Sequence, residues 1–484
     1  MKALPLAGLF ATLAFITRRV GDPDYWWHEL TGQLIFQHRA LVRSELFTYT
    51  VPGTPWTDQE YGSQLIFYFL RRMGGLPLTS VAFAAVVWAG FWFLYARVRE
   101  HDHSAGITAA GLVLGAAAGF AIWGPRPQML DFMFVSLELL WIERFLRGHS
   151  RAVYWLPAVV IVWANLHGGF VFSFFILGLT IAALTMRWAW ERRPADQLFV
   201  IRRLLQVALG CVFASLITPW GPFLFVYVWR TQFSSQNGDF VREWQAPDFH
   251  MLNMAAFEAL LLLVLIGMAW RRPRLLDVFL VLGAAALSLH ALRFIPIFVA
   301  VATPVLVWQW SDVWNELRAR AARPRPPARR RWSSAAPVAL LSVVAAGSLG
   351  FAGVTLRGQT TATAANYPVA AANWLAAHPG VGTRVFNEYS WGGYLAWRFY
   401  PEPSRRVFIY GESELVGDRL LAQYADVNNL HSDWRQVLDS YRVDYVVFPD
   451  GTPLVAALDA SGAWRRAYSD GLAVIFVRES APAP

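Results

Sequence analysis

Residues 1–30, "MKALPLAGLFATLAFITRRVGDPDYWWHEL", run from an apolar stretch through Arg18 and Arg19 into Asp22, Asp24 and His28. Ala3 to Thr17 follows Lys2 as a secretory signal core would. No small-residue cleavage site precedes the charged turn, so it reads as an uncleaved first span, lengthened by snorkelling of the two arginines. The two carboxylates behind it admit two readings. One is helix-start chemistry, with Asp22 as cap, Pro23 in the first position and Asp24 at the positive end of the dipole. The other is a catalytic or metal-binding acid at a membrane surface.

The rest of the chain settles the environment. Of 484 residues, 56% are hydrophobic and only 15% charged, too apolar for an ordinary soluble protein. The net charge of +9 does not point to nucleic acid, because the arginines sit in short stretches between apolar runs and not on one face. The single cysteine, Cys211, excludes an internal disulfide and a cysteine-rich metal site. At about 20 apolar residues per crossing, candidate spans fall near 3–20, 76–96, 105–123, 127–146, 152–165, 168–187, 201–218, 252–270, 274–290, 292–310 and 335–355. The expected fold is a polytopic α-helical membrane protein of about eleven helices.

Alternate loops carry Arg97 and Arg99; Arg144, Arg147 and Arg151; Arg187 to Arg203; and Arg271, Arg272 and Arg274, which places them inside. The basic, proline-rich stretch "RARAARPRPPARRRW", within residues 311–334, continues the series as a cytoplasmic linker. The N-terminus is then cytoplasmic, and the opposite loops hold the unusual polar chemistry. Residues 1–355 are the expected membrane domain, including a first outer loop, 21–75, in which "DYWWHELTGQLIFQH" and "DQEYGSQLIFYFLRRM" have helical spacing. Trp26, Trp27, Leu30 and Leu34 form one stripe, read either as lying at headgroup depth or as packed on protein. Residues 356–484 alternate strand and helix patterns. "TRVFNEY", "RRVFIYG", "DYVVFPD" and "LAVIFVR" predict an extracytoplasmic α/β domain with a mainly parallel sheet and no nucleotide-binding fingerprint.

Ionisable groups near membrane depth are costly and mark sites. On the outer side these include Asp22, Asp24, His28, Asp58, Glu60, Arg126, Asn165, His167, Glu243 and Arg293. Each has a bland reading. Asp58 and Glu60 begin a helix; Arg126 snorkels; Asn165 and His167 satisfy the "WANLHGG" turn; Glu243 pairs with adjacent Arg242. Arg293, set in "SLHALRFIPIF", is the hardest to dismiss.

Taken with "DPDYWWHELTGQLIFQH", "FTYTVPGTPWTDQEYGSQLIFY", "ITPWGP", "REWQAPDFH" and "WGGYLAWRFYP", these features resemble the GT-C class of membrane glycosyltransferases over nearly the whole chain. The nearest likeness is to bacterial proteins related to dolichyl-phosphate-mannose protein mannosyltransferases and lipopolysaccharide-modifying sugar transferases. That resemblance implies a bacterial inner-membrane enzyme of the cell envelope. It would transfer a sugar from a polyprenyl-phosphate donor to an extracytoplasmic glycan, lipid or protein acceptor, with inversion. Asp22 and Asp24 match the catalytic acids. Arg126, Arg293, His167 and His28 are candidates for the donor phosphate, and Asp58, Glu60, Asn165 and Glu243 for acceptor contact or support. If a divalent cation such as Mg or Mn takes part, Asp22, Asp24 and His28 are its candidate ligands. Where members of the class carry an acidic "DGR"-like turn, this chain has "YGESEL", with Tyr410 and Glu412. Two other classes fit the same features: a transporter or flippase of lipid-linked sugar, and a non-catalytic scaffold.

Overall fold

The computed structural model describes residues 3–191, 195–232, 241–321 and 335–479. The chain forms two compact units, one of residues 1–18, 80–221 and 243–357, the other of 19–79, 222–242 and 358–484. Among the described residues six helices are long and apolar enough to cross a membrane, and four shorter apolar helices accompany them.

In the first unit the Ile295–Ala321 helix is central, packed by the helices Ala105–Ala118, Gln128–Leu146, Ala255–Trp270 and Leu275–His290. Lipid offers no hydrophobic drive for helices to associate, so close approach through small residues must supply the contact. A Cβ on Gly111 would lie 2.6 Å from Val307, and one on Gly8 would lie 2.6 Å from the Ala109 backbone. The Ile295–Ala321 helix takes in residues 311–321 of the expected linker; residues 322–334 lie outside the described residues.

In the second unit the first outer segment packs with the C-terminal chain, where the sequence reading grouped 21–75 with the membrane part. The Tyr25–His38 helix lies on the Tyr389–Phe399 helix and crosses the following helix at Gly32, whose Cβ would fall 2.0 Å from the Gln64 carbonyl oxygen. The Trp26, Trp27, Leu30 and Leu34 stripe is buried, with Trp26 edge-on to Tyr367 and Tyr394. This stripe therefore packs on protein. The Tyr61–Val98 helix is broken at Gly74 and Gly75, the latter at φ 67°, a backbone angle suited to glycine. Its two halves correspond to the outer-loop helix and the second span.

The sheet has strands β1 (Val385–Asn387), β2 (Tyr445–Pro449), β3 (Trp464–Ser469) and β4 (Ala473–Arg478) in the order β1-β2-β4-β3. Only β1 and β2 are parallel; the other two pairs are antiparallel, which corrects the mainly parallel expectation. "RRVFIYG" is not a strand of this sheet. Val407 instead exchanges backbone hydrogen bonds with Phe47 and Tyr49 of the first outer segment, at 3.0 and 3.2 Å. The Asn387 side chain then holds Phe408 and Ile409 by their backbone, at 2.8 and 2.9 Å. The unforeseen strand β3 exposes Arg465 and Arg466, as edge strands commonly do, and turns into β4 through Asp470-Gly471.

Gly8→Val is expected to destabilise the purified protein by roughly 1–3 kcal/mol through overpacking. Gly178→Ala, where a Cβ meets nothing within 4 Å, should leave the detergent melting temperature unchanged or higher. Equal melting temperatures for wild type and Gly8→Val would show that this helix contact does not limit stability.

Candidate functional site

The ten residues singled out by sequence fall into both units. Asp22, Asp24, His28, Asp58 and Glu60 belong to the second, and Arg126, Asn165, His167, Glu243 and Arg293 to the first.

In the second unit, Asp22 Oδ1 accepts from the Asp24 backbone N–H at 2.9 Å, closing the turn that starts the helix. Asp24 occupies the N-cap position but its side chain makes no cap hydrogen bond. Its Oδ1 accepts from Trp27 Nε1 at 3.0 Å and lies so close to Gly411 that any Cβ there would meet it at 1.6 Å. Thus the helix-start reading suits Asp22, whereas the Asp24 carboxylate is held against the "YGESEL" turn. His28 Nε2 lies 3.2 Å from Glu60 Oε2, both side chains buried. Asp58 accepts from the Glu60 backbone N–H at 3.2 Å and from Gln64 Nε2 at 2.8 Å, so it does serve the helix start.

Sequence reasoning left Glu45, Glu412 and Glu414 out of the site. Glu45 accepts from Tyr410 Oη at 2.8 Å and from the backbone N–H groups of Phe47 and Thr48. Glu412 accepts from Tyr227 Oη at 3.0 Å. Burial above all, then the charges of Glu60, Glu414 and Asp58, hold the Glu412 carboxyl well above the usual carboxylate range. Burial pushes Glu414 up to about 7. Asp58 is pushed from 3.8 up to about 8, chiefly by burial, with the Glu60 charge adding and the two hydrogen bonds opposing. Neighbouring carboxyls out of water cannot all ionise, so this group can accept and release protons near neutral pH.

In the first unit, Glu243 does not simply pair with Arg242. Its carboxylate bridges two guanidinium groups, Arg126 Nη1 at 2.6 Å and Arg293 Nη1 at 3.5 Å. Arg293 also stacks over Trp244, 4.2 Å from the ring centre, and the Leu292 N–H donates to the Gln245 carbonyl at 3.0 Å. Asn165 takes the backbone role, donating to the carbonyls of Ile161 and Ile217 at 2.7 and 2.8 Å. His167 is buried, with Nδ1 2.8 and 2.9 Å from the two oxygens of Asp131. Asp131 escaped the sequence reading although an acid in an apolar run was the available signal.

Asp22, Asp24 and His28, the candidate cation ligands, make the contacts given above. Among the described residues no three His, Cys, Asp or Glu side chains are arranged to hold a metal ion.

The fold is GT-C-like. The chain is similar in fold to the archaeal oligosaccharyltransferase AglB from Archaeoglobus fulgidus, solved with an inhibitory peptide and a dolichol-phosphate (TM-score 0.56, 13% identity, covering 93% of this chain and 69% of that one). It is also similar to ArnT from Cupriavidus metallidurans bound to undecaprenyl phosphate (TM-score 0.50, 14% identity, 98% and 97% covered). A third similar structure is the mycobacterial arabinofuranosyltransferase AftD (TM-score 0.53, 15% identity, 99% of this chain and 40% of that one). No protein-family model and no curated protein matches the chain. At these identities the likeness is one of fold.

Between about pH 4 and 8 the folded chain retains on Asp58 a proton that the unfolded chain has released, so stability falls as pH rises through that window. Asp58→Asn is expected to lessen the drop in melting temperature between pH 5 and pH 9. An unaltered drop would remove Asp58 as its source.

Proposed function

We propose that the protein is a membrane glycosyltransferase that moves a sugar from a polyprenyl-phosphate donor to an extracytoplasmic acceptor, with inversion. The observation that carries this reading is the pair Arg126 and Arg293 spanned by a single carboxylate, because guanidinium groups that hold a carboxylate in this way have the donor geometry a phosphate needs. Support comes from the shared fold and from what two similar structures contain: undecaprenyl phosphate in ArnT and a dolichol-phosphate in AglB. The proposal extends to eleven membrane crossings, with the arginine-rich turns in the cytoplasm and residues 356–484 outside.

Sugar transfer from a carrier phosphate requires a base for the acceptor hydroxyl and cations for the departing phosphate. Arg126 and Arg293, with His167, are assigned the phosphate. Asp24, whose Oδ1 accepts from Trp27 Nε1, is assigned the acceptor proton, and Asp22 shapes the turn that presents it. His28, Asp58, Glu60 and Glu412 supply the proton-sharing surroundings.

The test uses full-length protein in nanodiscs. Arg293→Ala should weaken binding of undecaprenyl phosphate about tenfold, the cost of one charge-assisted hydrogen bond. Unaltered binding rejects the phosphate assignment. Across a panel of undecaprenyl-phosphate-linked sugars, wild type should release sugar and Asp24→Asn should do so 10²- to 10⁴-fold more slowly, roughly the contribution of general base catalysis. Equal rates for wild type, Asp22→Asn and Asp24→Asn would remove both acids from catalysis.

A further inference from the structure

The stretch "WANLHGG", residues 163–169, sends two side chains to one carboxylate. Trp163 Nε1 donates to Asp131 Oδ1 at 2.8 Å, and His167 Nδ1 meets both Asp131 oxygens at 2.9 and 2.8 Å. Gly169 leaves room for the acid: a Cβ there would lie 2.1 Å from Asp131 Oδ1. Asp131 itself stands in the first turn of the Gln128–Leu146 helix, where the dipole favours a carboxylate, and is 4% exposed.

This arrangement decides the protonation pattern of His167. Its Nδ1 is 3.1 Å from the Gly169 backbone N–H as well as against Asp131. One ring nitrogen cannot both accept from an amide and donate to a carboxylate. The charge-assisted bond is the stronger, so the proton sits on Nδ1 and the Gly169 contact is secondary. An imidazole held by a carboxylate at Nδ1 has its tautomer and orientation set, with its chemistry directed through Nε2.

We propose that Asp131 is a positioning residue for donor binding, which fixes His167 through Nδ1–H so that Nε2–H of the charged ring donates to the phosphate of the lipid-linked sugar. This rests on the phosphate reading given above for His167. The Asp131 carboxylate lies against Nδ1, and the donor phosphate would lie against Nε2. Arg126 precedes the same helix by two residues, so the guanidinium stands in the turn that leads into the element carrying the acid. A merely structural Asp131 would act through Trp163 instead, as the acceptor that fixes its indole.

A double-mutant cycle separates these roles. Dissociation constants for undecaprenyl phosphate would be measured on full-length protein in nanodiscs for wild type, Asp131→Asn, His167→Gln, the double variant and Trp163→Phe. Asp131→Asn and His167→Gln should each weaken binding about tenfold, the double variant no more than His167→Gln alone, and Trp163→Phe less than threefold. An Asp131→Asn loss that persists undiminished beside His167→Gln, or that Trp163→Phe reproduces, overturns the positioning role. If Asp131→Asn does not fold, ¹⁵N NMR of histidine-labelled wild type decides, with His167 assigned from the His167→Gln spectrum. Nδ1 should bear a proton before and after undecaprenyl phosphate is added and Nε2 should respond to it; a proton-free Nδ1 overturns the proposal. Absence of saturable binding by wild type rejects the phosphate reading together with this role. Wild-type binding that Arg293→Ala weakens, with an additive cycle, rejects the role of Asp131 alone.

Discussion

A carboxylate buried in a helix bundle has lost its water and must be answered by donors from neighbouring helices. The Gln128–Leu146 helix meets this demand three times. Asp131 is answered by Trp163 and His167, Glu138 by Ser173 Oγ at 3.2 Å, and Glu143 by His101 Nε2 at 2.7 Å and Arg274 at 2.7 and 3.0 Å. Arg97, 1% exposed, completes the last group at 3.8 Å from Glu143. Because each acid is met by residues from different parts of the chain, the helix acquires a fixed depth and rotation. Dispersion between apolar faces alone specifies these poorly. The polar contacts therefore fix the register of the first unit, while glycine-mediated approach supplies its closeness.

The same demand explains how candidate chemistry is held in place. Arg293 is braced by Glu243 on one side and by the Trp244 ring on the other, and the backbone link from Leu292 to Gln245 ties the bracing segment to the start of the central helix. In the second unit the solution differs. Asp58, Glu60, Glu412 and Glu414 lie close enough to affect one another, and burial with this repulsion favours the protonated forms of Asp58 and Glu412.

Much of the architecture was legible along the chain, because its determinants are local. Apolar run length marked the helices and started the second span at residue 76, next to the break at Gly74 and Gly75. Strands β1, β2 and β4 showed as apolar runs. Strand β3 was missed because an edge strand exposes its arginines and loses the apolar signature, although Asp470-Gly471 is a strong hairpin signal. "RRVFIYG" misled for the opposite reason: it is buried, yet its backbone partners are Phe47 and Tyr49, in the first outer segment.

Composition and periodicity alone thus determined that this is a many-helix membrane chain with a mixed helix-and-strand C-terminal region, since burial in lipid or in a sheet imposes its pattern residue by residue. They also marked Arg126, His167 and Arg293 as groups needing a reason. Only the folded chain decided what answers them. Glu243 bridges both arginines, Asp131 seats His167, and Glu412 joins Asp58 and Glu60. Electrostatic pairing falls off with distance in space and carries no trace in sequence separation, so these partners emerged only when the helices had packed.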